Sequence, residues 1–380
     1  MKKTLVKTFL LLTVALSGTF CLLGCGHEAT PPTSIDDWVD EGASGTVDPQ
    51  NKYYSNPVIT RDAPDPTVLK DPNSKYFYLY STNSGPGAIP IYQSSDLVNW
   101  KLVGPSFTSD TYPPSPFPEQ GGAHLWAPEA RYMKGKYVLF YSLAQMNNNE
   151  FSTIGYAVSD SPTGPFVHMN TICNSVTHNI GDSIDPFVYE ENGRYYFSVG
   201  SFGWGRPRPG GVHLFEMKVA DDLSSMELDM TTQKVITSKH FEANAIWKHN
   251  GYYYLFASVG GFQWNEANRT SDYRTVVGRS TSIWGPYLTR DGRKMRTDDN
   301  NGAWDVMITT NEKFSGTGHN SNLVLDDNGD TWIIYHGYDR NNPGIGRQVF
   351  LDRVCWDDED WPYVEGGGAS SFAVAPYFKN

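Results

Sequence analysis

Three acidic residues, a histidine and a tryptophan lie at nearly the same distance before five separate segments of this chain. The distances are 11 residues from Asp65 to Tyr76, 11 from Trp126 to Tyr137, 10 from Asp185 to Tyr195, 11 from Glu242 to Tyr253 and 12 from His319 to Thr331. If the five segments are structural repeats, residues at the same phase occupy equivalent positions. The spacing therefore predicts that these side chains meet in one site.

Carboxyl groups acting in pairs suit the hydrolysis of glycosidic bonds. The leaving oxygen needs a proton while water, or a nucleophile, needs activation at the anomeric carbon, so one carboxyl must be protonated and the other ionised. A third carboxylate nearby raises the pKa of the acid by repulsion, at about 1.36 kcal/mol for each pKa unit. Asp65, Asp185 and Glu242 provide three such groups.

The elements that must position these residues are hairpins of a weak internal repeat. Runs rich in aromatic and β-branched residues recur at 76–81, 137–142, 195–201, 253–258 and 331–336, and their starts are 61, 58, 58 and 78 residues apart. Turn sequences such as Asn192-Gly193 and Asn250-Gly251 precede four of the runs. Five units near sixty residues predict an all-β fold, a five-bladed β-propeller of four-stranded sheets. The innermost strands would then place the five positions around a central axial cavity.

Each of these residues also has a simpler interpretation. Asp65-Pro66 and Asp185-Pro186 are typical turn starts, Glu242 would suit a solvated strand end, and His319 would suit a packed or hydrogen-bonded position. Asp62 is an alternative to Asp65. The shared phase favours a site, because turn residues need not recur at matching positions before five hairpins, whereas cavity-lining residues must.

Composition and charge narrow the partners. With 36 Gly, 24 Pro and 19% charged residues, the chain suits short strands joined by turns and excludes a coiled coil. The formal net charge is −12, and the first 24 residues carry three lysines and no acid, so the remainder is more acidic still. This charge argues against a nucleic acid partner and against polyanionic sugars. We expect a neutral glycan.

The N-terminus is typical of an exported lipoprotein. A basic start and the apolar run 9–23 predict a signal peptide over residues 1–24, and Leu22-Leu23-Gly24-Cys25 resembles the bacterial lipobox, which implies lipidation of Cys25. Residues 25–52 are predicted to be a flexible tether, and residues 53–380 one domain. We expect a monomer attached to the bacterial cell envelope, at the outer membrane or cell surface. Cys173 and Cys355 then remain, without a framework that demands a disulfide.

An ordered series of segments resembles glycoside hydrolase family 43, and within it the endo-α-1,5-L-arabinanases. The segments are Asp65–Val68, Ser94–Trp100, Leu125–Glu129, Ser183–Pro186, Gly200–Phe202, Phe241–Ala243, Val277–Ser280, Gly285–Tyr287, Gly318–Ser321 and Trp332–His336. Each motif is short, but their order spans nearly all of the predicted domain. Two positions differ from many arabinanases: Pro64 stands where they have His, and Asn244 where they have Pro.

The resemblance implies roles for the phased residues. Asp65 would be the general base, Glu242 the general acid, and Asp185 the residue that orients the acid and raises its pKa. The family inverts the anomeric centre, so the base and acid carboxyls should lie roughly 6.5–9.5 Å apart. His319 matches a histidine that faces a metal ion on the propeller axis, which implies a largely hydrated ion, calcium by preference. The alternative is a histidine bonded to water alone.

The implied function is hydrolysis of α-1,5-linked L-arabinan with inversion, by internal cleavage. Trp126 and Phe202 are candidates for stacking on sugars, and Ser183 and Ser201 for bonding to hydroxyls, although propeller aromatics often belong to the core. One alternative is an exo-α-L-arabinofuranosidase or β-xylosidase of the same family. An alternative of another class is a noncatalytic glycan-binding propeller.

Overall fold

β-Strands are almost the only regular secondary structure in the part of the chain that the structure describes. The computed structural model describes residues 52–82, 88–114, 124–144, 151–203 and 207–379. Within these ranges helical structure is limited to short 3-10 segments, which include Pro343–Ile345 and Glu365–Gly367. The prediction of an all-β fold is therefore confirmed. No helix in the described ranges is long and apolar enough to cross a membrane.

The first half of the described chain contains an N-terminal strand that pairs only with the last strand, and three antiparallel sheets, each with its four strands in chain order. The N-terminal strand is β1 (Tyr53–Ser55). Sheet 1 contains β2 (Thr67–Lys70), β3 (Phe77–Tyr80), β4 (Pro90–Ser94) and β5 (Lys101–Pro105). Sheet 2 contains β6 (His124–Met133), β7 (Lys136–Ala144), β8 (Thr153–Ser159) and β9 (Val167–Asn174). Sheet 3 contains β10 (Phe187–Glu191), β11 (Arg194–Val199), β12 (His213–Val219) and β13 (Met226–Val235).

The second half forms a nine-stranded sheet with two antiparallel groups, joined where Arg274 pairs with Thr317 in parallel. Group 4 contains β14 (Glu242–His249), β15 (Tyr252–Val259), β16 (Arg274–Ser280) and β17 (Asp305–Ile308). Group 5 contains β18 (Phe314–Gly318), β19 (Val324–Leu325), β20 (Thr331–Asp339), β21 (Gln348–Trp356) and β22 (Pro362–Tyr363). The last strand, β23 (Phe372–Val374), pairs with β1.

The aromatic runs of the repeat are the second strands of sheets 1 to 3 and of group 4, and the long central strand β20 of group 5. The predicted hairpin turns are present: Asn192, Gly193, Asn250 and Gly251 all have positive φ angles, as type I′ turns require. The sequence periodicity therefore identified the second strand of units 1 to 4 and the central strand β20 of group 5.

The buried core lies between neighbouring sheets and connects them in a circular order. One cluster joins Tyr80 of sheet 1 to Tyr141 of sheet 2, and a second joins Phe140 of sheet 2 to Phe197 of sheet 3. A third cluster joins sheet 3 to groups 4 and 5, and a fourth joins sheet 1 to group 5 through residues such as Leu79 and Leu351. Aromatic side chains make up about a third of the buried residues in these clusters and are their largest members, which accounts for the aromatic bias of the repeat.

The two ends of the described chain meet on group 5. β1 pairs with β23, the Tyr54 hydroxyl donates to the Leu351 carbonyl (2.5 Å), and the Asn56 side chain donates to the same carbonyl (2.8 Å). The predicted signal peptide, Cys25 and nearly all of the tether lie outside the described residues. Cys173 is a buried free thiol, so it does not pair with Cys355.

Candidate active site

Five residues with left-handed backbone lie at the beginning of the first strand in each repeat unit, or directly after β18 in group 5. They are Asp65 (φ 54°), Ala127 (44°), Asp185 (58°), Ala243 (53°) and His319 (51°). Non-glycine residues are uncommon in this region, and each costs of order 1–2 kcal/mol. A feature repeated in all five units is therefore held in place by the surrounding structure.

The backbone N–H of each left-handed residue donates to a side chain of the preceding unit, with unit 5 counted as preceding unit 1. We call these five contacts the inner ring: Ala127 N to Thr82 Oγ1 (2.7 Å), Asp185 N to Ser142 Oγ (3.1 Å), Ala243 N to Asp185 Oδ2 (2.8 Å), His319 N to Ser258 Oγ (2.8 Å) and Asp65 N to His336 Nδ1 (3.0 Å). The last contact returns from group 5 to sheet 1. The inner ring thus ties all five units together around the site.

A cavity of about 640 Å³ opens beside the inner ring. It is lined by seven of the predicted site residues: Asp65, Trp126, Asp185, Ser201, Phe202, Glu242 and His319. The fold therefore brings together residues up to 254 positions apart, from Asp65 to His319, as their shared phase predicted. Asp62, the alternative to Asp65, does not line the cavity, and its Oδ1 accepts the N–H of Arg347 (2.7 Å).

Ser183 is the predicted site residue that the structure places elsewhere. Its hydroxyl is fully buried and lies 3.5 Å from the Cys173 sulfur, while its neighbours Asp182 and Ile184 line the cavity. The extended chain directs alternate side chains to opposite sides, so Ser183 points into the core of sheets 2 and 3. It cannot bond to a sugar in the cavity from this position.

Asp65 is buried beside one arginine, Arg347, and two histidines, His319 and His336. Arg347 Nη1 lies 2.9 Å and His319 Nδ1 3.2 Å from Asp65 Oδ1, and the Thr82 hydroxyl donates to Oδ2 (2.6 Å). Burial opposes ionisation, but Arg347 and then His319 outweigh it and hold the pKa of Asp65 well below its ordinary value. Asp65 is therefore a carboxylate at neutral pH.

Glu242 has the opposite tendency. Its carboxyl is buried, and burial raises its pKa to about 7, against hydrogen bonds that lower it. Those bonds come from the Ser201 hydroxyl to Oε2 (2.6 Å) and from the Tyr273 hydroxyl to Oε1 (2.7 Å). A carboxyl with this pKa holds or releases a proton near neutral pH, as a general acid must.

Asp185 is coupled to Glu242. Burial and the charge of Glu242 raise the pKa of Asp185 well above its ordinary value, and its Oδ2 accepts the N–H of Ala243, next to Glu242 in the chain. Two buried acids that interact in this way titrate as a pair and not independently. Asp185 can therefore both keep Glu242 protonated and fix the backbone that carries it.

Several lining residues were not predicted from the sequence. Thr82, Tyr273 and Arg347 each contact one of the acids directly, and Asp182, His240 and Trp304 line the cavity further out. One signal was present: the runs 137–142, 253–258 and 331–336 end in Ser142, Ser258 and His336, which all belong to the inner ring. In unit 1 the same task falls to Thr82, one residue beyond the end of the run.

A second cavity, of about 20 Å³, lies on the other side of the inner ring and shares His319 and Asp185 with the first. Its lining includes Asn320, which is buried; the Asn320 amide nitrogen donates to the Ser321 carbonyl (2.9 Å), and Oδ1 has no partner among the described residues. An unpaired oxygen beside a histidine fits a hard cation. The described residues contain no group of three or more His, Cys, Asp or Glu side chains that could hold a metal, so such an ion would be bound mainly by water.

Comparison with known proteins identifies relatives with the same chain organisation. The extracellular exo-alpha-(1->5)-L-arabinofuranosidase ArbA of Cellvibrio japonicus is 33% identical over 327 residues, covering 80% of this chain and 86% of that protein. The extracellular endo-alpha-(1->5)-L-arabinanase 1 of Bacillus subtilis is 29% identical over 300 residues, covering 78% and 86%. The solved structure of Cellvibrio cellulosa alpha-L-arabinanase complexed with arabinohexaose matches with a TM-score of 0.65 at 30% identity, covering 80% of this chain and 95% of that one.

The family match extends over most of the described chain. The profile of Glycosyl hydrolases family 43 covers residues 54–362, from β1 to the end of the nine-stranded sheet. This range includes all three acids and the entire inner ring. The resemblance inferred from the ordered sequence segments is confirmed, and the chain belongs to glycosyl hydrolase family 43.

Proposed function

We propose that this protein hydrolyses α-1,5-linked L-arabinan with inversion of the anomeric centre. The observation that carries the proposal is the opposite protonation of two carboxyls in one cavity: Asp65 is held ionised, and Glu242 has a pKa of about 7. Glycoside hydrolysis needs this combination, since a base activates water while an acid protonates the leaving oxygen.

Each acid receives one task in this mechanism. Asp65 accepts a proton from water at the anomeric carbon, and Arg347 and Thr82 keep the carboxylate directed. Glu242 donates its proton to the glycosidic oxygen. After the products leave, Asp65 releases to solvent the proton that it took from water, and Glu242 takes up a proton from solvent, which the neighbouring charge of Asp185 favours. Inversion requires room for water between the base and the sugar, with a carboxyl separation of roughly 6.5–9.5 Å.

A neutral pentose polymer suits the cavity. Five carboxyl groups, from Asp65, Asp182, Asp185, Glu242 and Asp272, line it together with Arg274 and Arg347. With one proton on Asp185 or Glu242 the carboxylates still outnumber the arginines, so an acidic sugar would be repelled. Trp126 and Phe202 offer aromatic faces for sugar rings, and the Ser201 hydroxyl, bonded to Glu242, lies where it would meet the substrate. The relatives named arabinanase and arabinofuranosidase support an L-arabinose-containing substrate.

Internal cleavage is favoured by an extension of the cleft. A second depression of about 530 Å³ shares Gly261, Gln263 and Asp272 with the cavity, so a chain could continue past the reacting sugar. Removal of end residues, as by an exo-α-L-arabinofuranosidase or β-xylosidase, is the alternative, and the 33% identical exo-acting relative supports it. Early products distinguish the two: mixed oligosaccharides indicate internal cuts, and a single small product indicates end-wise action.

We also propose that the five units are the blades of a propeller with the site on its axis. Two observations support it: the hydrophobic clusters connect the units in circular order, and the inner ring returns from group 5 to sheet 1. In a propeller, the inner strands border a common axis, which accounts for the convergence of residues from all five units.

For the axial ion we propose a hydrated cation, calcium by preference, beside His319 and the Asn320 Oδ1 atom. Bound there, it would supply positive charge at the floor of the active site. Export and lipidation at Cys25 are proposed from the sequence and supported by relatives named as extracellular. Fatty-acid incorporation into the full-length protein, with Cys25→Ala as control, tests the lipid anchor.

Activity of three variants on linear arabinan tests the proposal. Asp65→Asn and Glu242→Gln should each reduce turnover by roughly 10²–10⁴-fold while retaining oligosaccharide binding in calorimetry. Asp62→Asn is the matched control, since Asn keeps an acceptor for the Arg347 N–H and the side chain lies outside the cavity; it should remain near wild type. Anomeric NMR of the first product tests inversion. A wild-type protein that binds arabinan without cleaving it would favour the noncatalytic glycan-binding alternative.

A further inference from the structure

We infer that Tyr273 is a positioning residue that joins the acid of this active site to the backbone of its base. The inference rests on the proposed function, because the terms acid and base refer to the roles given to Glu242 and Asp65. Tyr273 lies just before β16 in group 4, outside the five phased positions. None of the segments that identified the family includes it.

The first contact of Tyr273 is with the acid. Its hydroxyl donates to Glu242 Oε1 (2.7 Å), and its side chain is only 1% exposed. Burial raises the pKa of the Tyr273 hydroxyl well above its ordinary value, so it remains a donor throughout the working range. Ser201 holds the other oxygen of Glu242 (2.6 Å). Glu242 is therefore held at both oxygens by hydroxyl groups from two separate segments, one after β11 and one before β16.

The second contact of Tyr273 is with the base, through His336. The Tyr273 and His336 rings are stacked, with centroids 5.5 Å apart and planes 13° from parallel. His336 Nδ1 accepts the backbone N–H of Asp65 (3.0 Å), which closes the inner ring. Burial lowers the pKa of His336 to about 3, so the imidazole stays neutral. The contact with the Asp65 N–H then places the ring proton on Nε2 and leaves Nδ1 as the acceptor. Three of the other four links use a Ser or Thr hydroxyl, which offers no surface for stacking.

The surrounding backbone leaves room for the Tyr273 ring. A Cβ atom on Gly318 would lie 2.4 Å from Tyr273 Cδ1, far inside contact distance. Gly318 directly precedes His319 and pairs with His336. Gly318 therefore lets the aromatic ring of Tyr273 pass close to β18, next to His336, which holds the backbone of the base.

The expected pH effect comes from the hydrogen bond that Tyr273 donates, because the charged groups around Glu242 stay the same in the variant. Those that line its cavity are Asp65, Asp182, Asp185, His240, Asp272, Arg274, His319 and Arg347. A Tyr273→Phe variant leaves all of them in place and removes one donor to the carboxylate form of Glu242. Loss of that donor favours the protonated form, so the pKa of Glu242 should rise.

The pH dependence of kcat/KM on arabinan tests the inference. In Tyr273→Phe the alkaline limb should move upward by about one pH unit, because a hydrogen bond to a charged group is worth about that much. Tyr335→Phe is the matched control: Tyr335 is also a fully buried tyrosine whose hydroxyl donates to a buried carboxylate, Asp352 (2.6 Å). It should leave the limb unchanged. An unmoved limb in Tyr273→Phe would overturn the inference.

A direct titration separates this inference from the proposed function. Carbon-13 NMR of labelled glutamate, with Glu242→Gln to assign the resonance, follows the Glu242 carboxyl without substrate. The same upward shift in Tyr273→Phe supports the link to the acid even if arabinan proves to be the wrong substrate. In Gly318→Ala, displacement of the ring should reduce kcat by at least about tenfold with KM less affected, the pattern of misplaced reacting groups. Wild-type kcat in a folded Gly318→Ala protein would contradict the link to the base.

Discussion

Substitution of Thr82 by valine tests the inner-ring contact that also holds the base. The Thr82 hydroxyl donates to Asp65 Oδ2 (2.6 Å) and accepts the N–H of Ala127 (2.7 Å), so one group ties sheet 1 to sheet 2 and holds the base. Valine has nearly the same shape and leaves no cavity. The change therefore removes two hydrogen bonds and little else.

The expected loss follows from those two bonds. A hydrogen bond to a charged group contributes about 1.5–3 kcal/mol, and a buried N–H without a partner costs about 1–3 kcal/mol. Because Thr82 lines the cavity, water can restore part of this, so we expect the free energy of unfolding to fall by about 2–4 kcal/mol. Chemical denaturation followed by tryptophan fluorescence measures the change, provided the m-value stays constant.

The adjacent residue supplies the control. Ser81 is fully buried, and its hydroxyl has no partner among the described residues. Ser81→Ala should therefore be neutral or slightly stabilising, since it removes an unsatisfied polar group. Equal stability of Thr82→Val and Ser81→Ala would refute the view that the inner ring holds the units together.

Further predictions concern the acids and the left-handed backbone. Asp185→Asn keeps an acceptor for the Ala243 N–H but removes a charge beside Glu242, so the alkaline limb of kcat/KM should move to lower pH; an upward shift would contradict the coupling of this pair. Ala127→Gly should change stability by less than about 1 kcal/mol, because relief at φ 44° offsets the entropy of glycine, whereas Ala130→Gly in the same strand should cost about 1 kcal/mol or more. Equal losses in urea denaturation would show that the Ala127 conformation carries no strain.

The convergence of the three acids on one cavity could be predicted because the repeat makes their positions visible. Asp65, Asp185 and Glu242 lie 10 or 11 residues before runs with a clear aromatic pattern, although the left-handed position of unit 4 is Ala243 and Glu242 is the residue before it. The residues that adjust the acids lacked such a signal. Arg347 reaches Asp65 across 282 positions, and Tyr273 lies just before the third strand of group 4 and not at a first strand. Their contacts depend on how units pack, which spacing along one chain does not encode.

The misplaced prediction of Ser183 has a local cause. Ser183 and Asp185 are two residues apart and would face the same side of a regular strand. The left-handed backbone at Asp185 breaks this alternation, so Asp182, Ile184 and Asp185 line the cavity while Ser183 points into the core. The left-handed conformations were also beyond the sequence. Asp tolerates this region, but nothing marks Ala127 or Ala243 as residues that adopt it.

The reacting acids and the wall of the cleft are held by different parts of this molecule. The acids are fixed by short bonds between neighbouring units, whereas much of the cleft wall comes from segments between strands, such as the stretch from Gly261 to Asp272. Insertions or exchanges in those segments can therefore alter which sugar chain enters, and from which end, without moving the reacting groups. Because the cleft wall and the reacting groups are held separately, related enzymes can differ in substrate while they keep the same mechanism of bond cleavage.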